Sequence, residues 1–377
     1  MLNDQENITI EVLFEALRHK IVYYRQPIKP KKLVITFDAH GHDLRDKGFG
    51  SDVLISAGYD HIFVSHAMNS QYQSLSVAEF RATVYDIAKF YETFTYGSSL
   101  GGYCAVYFAG SIGAKAIAIS PRNSAHPSIH NPLFSELEFT HSDIIENPKS
   151  SISPTVIYDP FQSLDLAFIK DYIIPAYPDT ELVTIPYAGH LIAEALLEIG
   201  QLKELALSII EKGVVPNIEL NIANSSYFCA EVAQCHLAKG EYPEAAALLE
   251  ASLNIRYDSV HLDRLIILVR NHLPDRPIAP KILEPYIKII CQSHFFDSEW
   301  YLSQHSDIAA DAGFAQNPAL HYLIFGASEG RNPSRYFNTN FYLSEYQDVS
   351  QEGINPLIHY LNYGISEGRV ITPLSAD

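Results

Sequence analysis

Apolar residues recur along the chain in short continuous runs that alternate with segments of helical periodicity. Runs of this kind are typical of parallel strands that are buried on both faces of a sheet. The predicted strands are residues 31–37, 61–65, 93–96, 114–120, 155–158 and 181–186. Helical patterns, such as that of residues 76–91, separate most of them. This alternation predicts an α/β fold with an open, mostly parallel, doubly wound sheet.

Outside this region the pattern differs. Residues 1–30 predict a short amphipathic helix followed by a Pro-containing connector. The apolar positions of that helix are Val12, Leu13, Leu17 and Ile21. Beyond the sheet the strand signal stops, and residues 229–253 resemble one tetratricopeptide-type helical hairpin. The predicted segments are therefore the N-terminal helix and connector (1–30), a sheet domain (31–200), an all-helical region (201–292) and a terminal segment (293–377).

The terminal segment contains a tandem repeat. FDSEWYL at 296–302 recurs as FNTNFYL at 337–343, and NPALHYL at 317–323 recurs as NPLIHYL at 355–361. Both units close on the sequence SEGR. The units resemble bacterial "FDxxYL…NPLxHYLxxGxxEGR" repeats, which occur in multidomain proteins linked to glycosyltransferases, surface polysaccharide and secreted proteins.

A G-x-S-x-G motif follows the third predicted strand. Gly97 and Gly101 flank Ser99, and a helical pattern begins at Gly101. A serine at the tip of a strand–turn–helix is the arrangement of a nucleophile elbow, in which side chains at both glycine positions would collide. The helix N-terminus then points at Ser99, and the amide of Leu100 can donate to an oxyanion. The alternative is a Gly-rich turn without a catalytic role.

An activated serine needs a base and a carboxylate that orients the base, in the chain order serine, acid, histidine in this class of fold. His190 follows the last strand, where that order requires the base. The acid should follow the fifth strand, where both Asp159 and Asp165 are available, although Asp159 could instead cap the turn that follows it. The loop after the first strand can supply a second oxyanion donor from the backbone of Ala39 or His40.

With these motifs, residues 31–200 resemble the α/β-hydrolase superfamily. YGSSLGGYCA, AISPR and PYAGH are similar to a bacterial subgroup found beside polysaccharide or glycosyltransferase modules. The resemblance implies Ser99 as nucleophile, His190 as base and Asp165 as acid. The implied activity is that of an esterase-type hydrolase or acyltransferase, with a small-molecule or glycan ester as substrate. The usual Gly-x-x-Asp after the fifth strand is replaced by DPFQ at 159–162, so a catalytically inactive scaffold is the alternative.

Composition and charge argue against some classes of binding partner. The 377 residues include 44 Asp and Glu but only 26 Lys and Arg, a formal net charge of −18. This surplus argues against binding to nucleic acid or to an anionic membrane. The acidic N-terminus lacks the basic region of a signal peptide, and no apolar run reaches the ~20 residues of a membrane span. We expect a cytoplasmic protein; export by a route without an N-terminal signal is the alternative.

Metal and cofactor chemistry find little support in the sequence. The 4 cysteines form no CxxC pair, which predicts reduced thiols. His40, His42 and Asp43 could ligate a metal, but no further cluster supports a zinc site. No phosphate loop or dinucleotide fingerprint is present, so no cofactor is expected. The C-terminal helices and repeats are candidate sites for protein partners, and an interaction protein or a glycan-binding module is the alternative to an enzyme.

Overall fold

A computed structural model describes residues 8–373 of the chain. These residues form two compact units that divide between Asn221 and Ile222. The first unit contains the sheet, and the second is helical. Within the described residues, no helix combines the length and apolarity that crossing a membrane requires.

The strands and helices of the first unit alternate along most of its length. The strands are β1 (Thr9–Glu15), β2 (His19–Arg25), β3 (Lys32–Phe37), β4 (Asp60–His66), β5 (Glu92–Ser98), β6 (Lys115–Ile119), β7 (Thr155–Tyr158) and β8 (Glu181–Thr184). The helices are α1 (Ser51–Ser56), α2 (Val77–Ala88), α3 (Leu100–Ile112), α4 (Ser163–Phe168), α5 (Ile192–Glu198) and α6 (Leu202–Lys212). Between β6 and β7 the chain forms only short 3-10 turns.

The eight strands formed by the described residues belong to one sheet, in the order β1-β2-β4-β3-β5-β6-β7-β8. Strands β3 to β8 pair in parallel, and β1 and β2 add an antiparallel edge. Strands β3 to β8 are the predicted strands, so the predicted fold class is confirmed. Because these strands are parallel, the segments that follow them leave the sheet at the same edge.

The predicted N-terminal amphipathic helix is wrong. Val12 and Leu13 lie in β1, Ile21 lies in β2, and Leu17 lies between the two strands of this hairpin. The apolar positions of this short segment fit both a helical and an extended periodicity. The segment forms a strand because β2 pairs with β4. The first part of the predicted helix lies outside the described residues.

Side chains of successive strand residues enter different cores. Ile21 and Tyr23 of β2 belong to the large core that includes residues of α2 and α3. Val22 and Tyr24 instead pack with Phe63 of β4, against which Ile55 of α1 is packed. Since neighbouring strand residues point to opposite faces, helices cover both faces of the sheet.

The described residues of the second unit form helices and no strand. The helices are α7 (Ser226–Lys239), α8 (Tyr242–Ile255), α9 (Ser259–His272), α10 (Pro280–Gln292), α11 (Ser298–Gln304), α12 (Ser306–Ala310), α13 (Pro318–His321), α14 (Thr339–Glu345), α15 (Gln347–Glu352) and α16 (Pro356–His359). Helices α11 to α13 belong to the first repeat and α14 to α16 to the second. Both α13 and α16 continue into a π-helical turn, Tyr322–Gly326 and Tyr360–Gly364.

The residues that the two repeats share make equivalent internal contacts. Tyr301 bonds to His321 Nδ1 at 2.9 Å in the first repeat, and Tyr342 bonds to His359 Nδ1 at 3.0 Å in the second. The arginine of each SEGR sequence forms a bidentate pair with an aspartate of its own repeat. The residues that recur in the two repeats therefore hold each repeat together from within.

Candidate active site

The turn between β5 and α3 holds Ser99 in a strained backbone conformation. Ser99 has φ 55° and ψ −119°, whereas L-residues other than Asn or Asp seldom adopt positive φ. The residues on either side, Ser98 and Leu100, are buried, but Ser99 is partly exposed. A strained turn that exposes one serine hydroxyl is the geometry of a nucleophile elbow.

Close backbone contacts explain the glycines of the elbow. A Cβ atom at Gly97 would lie far inside contact distance of the Gly101 backbone. A Cβ atom at Gly101 would collide in the same way with the carbonyl oxygen of Phe37, the last residue of β3. The first turn of α3 therefore lies directly against the start of the loop that follows β3.

Ser99, His190 and Asp165 form a continuous chain of hydrogen bonds. Ser99 Oγ lies 2.8 Å from His190 Nε2, although the residues are 91 positions apart in the chain. His190 Nδ1 lies 2.7 Å from Asp165 Oδ2 and 2.9 Å from Oδ1. The Asp165 side chain is 0% exposed and that of His190 is 18% exposed. With its Nδ1 proton donated to the carboxylate, the imidazole presents Nε2 as an acceptor to the serine hydroxyl.

Asp159, the other candidate acid, bonds to backbone amides. Its Oδ2 accepts from Gly189 N at 2.8 Å, and its Oδ1 accepts from Phe161 N at 2.9 Å. Asp159 is 2% exposed. It therefore ties the turn after β7 to the residue that precedes His190, and Asp165 is the aspartate that contacts the imidazole.

Arg122 also contacts this group of residues and was not identified from the sequence. Its Nη1 donates to Asp165 Oδ1 at 2.8 Å, and its backbone N–H donates to the carbonyl oxygen of Ser99 at 3.2 Å. Its sequence signals were its place in AISPR (118–122) and its position shortly after β6, at the sheet edge where the acid was expected. The carboxylate thus has a guanidinium and an imidazole as partners.

The loop after β3 is held by the segment that follows β4. Asp38 N donates to the hydroxyl of Tyr72 at 2.7 Å, and the side-chain amide of Gln71 donates to His40 Nδ1 at 2.9 Å. Burial lowers the pKa of His40. Gln71 and Tyr72 both have positive φ, a conformation that no sequence motif indicated. The loop is therefore fixed beside the elbow before any substrate binds.

The backbone amides that are candidate oxyanion donors differ in the hydrogen bonds that they make. Leu100 is the first residue of α3, so its amide has no acceptor within the helix. The amide of Ala39 donates to Asp38 Oδ1 at 3.1 Å. That carboxylate is 1% exposed and forms a bidentate pair with Arg45 at 2.6 and 2.5 Å.

Among residues 8–373, no three His, Cys, Asp or Glu side chains are arranged to hold a metal ion.

An aromatic pair lies on the loops that precede Asp165 and His190. The rings of Phe161 and Tyr187 are stacked, with centroids 4.9 Å apart and an interplanar angle of 21°. Phe161 is 63% exposed, and Tyr187 has φ 64°. Since Asp159 bonds to the amides of Phe161 and Gly189, this pair is held in place by the same carboxylate that ties the two loops together.

Comparisons with known proteins find similar folds only. No protein-family model matches the chain, and no curated protein matches it in sequence. The capsule O-acetyltransferase of Neisseria meningitidis serogroup A aligns with 52% of this chain and 93% of its own length, at 17% identity and TM-score 0.39. Dienelactone hydrolase from Anabaena variabilis aligns with 56% of this chain and 99% of its own, at 13% identity and TM-score 0.36.

A third similar structure is α/β-hydrolase domain-containing protein 10 from mouse. It aligns with 55% of this chain and 100% of its own length, at 16% identity and TM-score 0.37.

Proposed function

We propose that the first unit is an acyl-transfer enzyme of the serine esterase type. The observation that carries this proposal is the 2.8 Å contact between Ser99 Oγ and His190 Nε2 on a strained, partly exposed turn. Asp165 supports it, because a carboxylate at Nδ1 selects the imidazole tautomer that can accept the serine proton. The altered DPFQ sequence after β7 favoured an inactive scaffold, but the presence of Asp165 beside His190 favours an enzyme.

The proposed reaction proceeds through an acyl-enzyme. Ser99 Oγ attacks the ester carbonyl carbon while its proton passes to His190 Nε2. The tetrahedral oxyanion is stabilised by the amide of Leu100 and by that of Ala39 or His40. Collapse expels the alcohol, which takes the proton from His190. Water or an acceptor hydroxyl then attacks the acyl-enzyme by the same steps, which gives an esterase or an acyltransferase.

The donors of the proposed oxyanion hole are not equally available. The Leu100 amide lies at a helix N-terminus, where an anion is favoured by the orphan N–H groups and the helix dipole. The Ala39 amide is already bonded to the Asp38 carboxylate, so a substrate oxygen must compete with that carboxylate for it. We therefore assign Leu100 as the first donor and the Ala39–His40 backbone as the second.

For the substrate we propose an acylated glycan. The exposed face of the Phe161–Tyr187 stack supports this choice, because aromatic faces on loops next to a catalytic residue can pack against a sugar ring. Phe161→Ala should raise KM for an O-acetylated oligosaccharide while changing kcat/KM for p-nitrophenyl acetate by less than a factor of about two. Equal effects on both substrates would contradict a sugar-binding role of this pair.

A fluorophosphonate probe tests the enzyme proposal directly. Wild-type protein should be labelled, and Ser99→Ala should abolish the labelling. Ser128→Ala is a matched control, since Ser128 Oγ also lies 2.8 Å from a histidine ring nitrogen, that of His126, but not on an elbow. We expect that variant to label like the wild type. Absence of labelling in the wild type, under conditions that label a known esterase, would favour the inactive scaffold instead.

A further inference from the structure

A permanent cation is bonded to the acid of the proposed triad. We propose that Arg122 is a positioning residue that balances the charge of the buried Asp165 carboxylate and holds it between the nucleophile turn and His190. This inference rests on the proposed function. It assigns to Arg122 a role that acts through Asp165 and not through contact with substrate.

The need for such a cation follows from burial. The Asp165 side chain is 0% exposed, and an ionised carboxylate without water is costly unless it has charged or hydrogen-bonding partners. In the resting state of the mechanism His190 is neutral, so it offers Asp165 an N–H dipole but no charge. Arg122, whose side chain is 16% exposed, supplies a positively charged guanidinium.

The geometry also gives Arg122 a positioning role. Its backbone N–H bonds to the carbonyl of Ser99 at 3.2 Å and its Nη1 bonds to Asp165 Oδ1 at 2.8 Å. One residue therefore links the turn that carries the nucleophile to the helix that carries the acid. With Oδ1 bonded to the guanidinium, Oδ2 is directed at His190 Nδ1, which is its shorter contact at 2.7 Å.

Two other carboxylates lie on segments that leave the same edge of the sheet. Asp159 accepts hydrogen bonds from the backbone amides of Phe161 and Gly189. Glu194 on α5 has its Oε2 buried without a donor among the described residues. Asp165 differs from both, because it is bonded to a guanidinium and to the imidazole at once.

Loss of the guanidinium has a predictable effect on pH dependence. A cation beside the carboxylate offsets the attraction between that carboxylate and a protonated imidazole. In Arg122→Met the Asp165 carboxylate faces His190 without this offset, which favours the imidazolium, and the imidazolium cannot accept the serine proton. The acid limb of the kcat/KM profile should therefore move to higher pH in Arg122→Met, by about one pH unit. Arg122→Lys keeps the charge and should restore most of the wild-type profile.

Arg276→Met is a matched control for the loss of an arginine–carboxylate pair. Arg276 Nη2 lies 2.9 Å from Glu250 in the second unit, so this variant removes a similar pair from the other unit. We expect its pH profile to coincide with that of the wild type. If Arg122→Met does not fold, as judged by circular dichroism, Arg122→Lys carries the test, with a smaller upward displacement of the acid limb expected.

A second measurement does not require turnover. The proton shared by His190 Nδ1 and Asp165 should give a downfield resonance in proton NMR spectra, which Asp165→Asn removes and thereby identifies. As the pH falls, the displacement of this resonance that accompanies protonation of His190 should occur at a higher pH in Arg122→Met than in the wild type. If the wild type turns over no ester, the proposed function fails, yet this resonance still tests Arg122.

Two results would overturn the inference. One is an Arg122→Met enzyme whose kcat/KM falls by the same factor at every pH, which would indicate a purely structural role. The other is a downfield resonance with the same pH dependence in Arg122→Met and in the wild type. Displacement of both the acid limb and the resonance, with rescue by lysine, would support it.

Discussion

His190 Nδ1 lies 2.7 Å from Oδ2 of Asp165, although another aspartate, Asp159, directly follows strand β7. Asp159 instead accepts a hydrogen bond from the backbone amide of Gly189, the residue beside His190. The two carboxylates thus act on the same loop in different ways. One contacts the imidazole, and the other fixes the backbone that presents it.

Substitution of the two aspartates should separate these roles. Asp165→Asn leaves the imidazole without a carboxylate and favours the wrong tautomer, so kcat should fall by roughly 10³- to 10⁴-fold. Asp159→Asn replaces one acceptor by an N–H₂ group that faces a backbone amide, which should cost about 1–3 kcal/mol of stability and less than about tenfold in kcat. Ester turnover and urea unfolding measure these effects. Equal losses of kcat would contradict the assignment of Asp165 as the acid.

The strands and the elbow could be predicted from the sequence because their signals are local. A continuous apolar run predicts a buried strand wherever it pairs, and the spacing of Gly97, Ser99 and Gly101 depends on a single turn. The choice between Asp159 and Asp165 could not be made from residues alone, because both follow the same strand and the direction of each side chain is set by contacts distant in sequence.

The supporting residues were missed for a related reason. Gln71 and Tyr72 hold the loop after β3 from a backbone with positive φ, which neither residue type favours. Arg122 belongs to AISPR (118–122), but that motif does not indicate its partner, which lies in helix α4. The N-terminal hairpin was predicted as a helix because a short apolar run fits both periods until its pairing partner is known.

Alanine substitution at two glycines should distinguish steric collision from backbone strain. Gly101→Ala places a Cβ atom against the carbonyl of Phe37, so we expect loss of both folding stability and probe labelling. Gly113 has φ +71° but open space around it, so Gly113→Ala should cost only about 1–2 kcal/mol and preserve labelling. Urea unfolding and probe labelling of both variants measure the difference. Normal labelling of Gly101→Ala would contradict the packing of α3 against β3.

The stability of the second unit should depend on the ionisation of Asp263. Burial raises the pKa of Asp263 to about 8, and its carboxylate accepts from Asn355 N at 3.0 Å. Between pH ~4 and the folded-state pKa, the folded unit holds a proton that the unfolded chain has released. The free energy of unfolding should therefore fall as the pH rises through this window, by at most about 1.4 kcal/mol per pH unit.

Asp263→Asn should flatten that dependence, because asparagine keeps an acceptor oxygen and cannot ionise. Trp300 is the single tryptophan of the chain and lies in α11, so its fluorescence reports urea unfolding of the second unit. Asp275 is exposed, and Asp275→Asn should leave the slope of the wild type unchanged. A wild-type midpoint that is constant between pH 5 and pH 8 would argue that Asp263 is ionised throughout.

In each repeat, the loss of stability on substituting the glycine at the end of the π-helical turn should depend on a neighbouring tyrosine hydroxyl. A Cβ atom at Gly326 would collide with the hydroxyl of Tyr301, which is 0% exposed. Gly326→Ala should therefore destabilise the second unit by about 1–3 kcal/mol, and by less when Tyr301→Phe removes the hydroxyl.

The second repeat supplies a control with a different outcome. A Cβ atom at Gly364 would meet the hydroxyl of Tyr342 and also a ring carbon of Tyr360 at 2.8 Å. Tyr342→Phe should therefore rescue Gly364→Ala less completely than Tyr301→Phe rescues Gly326→Ala. A double-mutant cycle in each repeat, followed by Trp300 fluorescence, measures both coupling energies. Additive effects in the first repeat would mean that the glycine is required for the backbone of the π-helical turn and not for space beside the tyrosine.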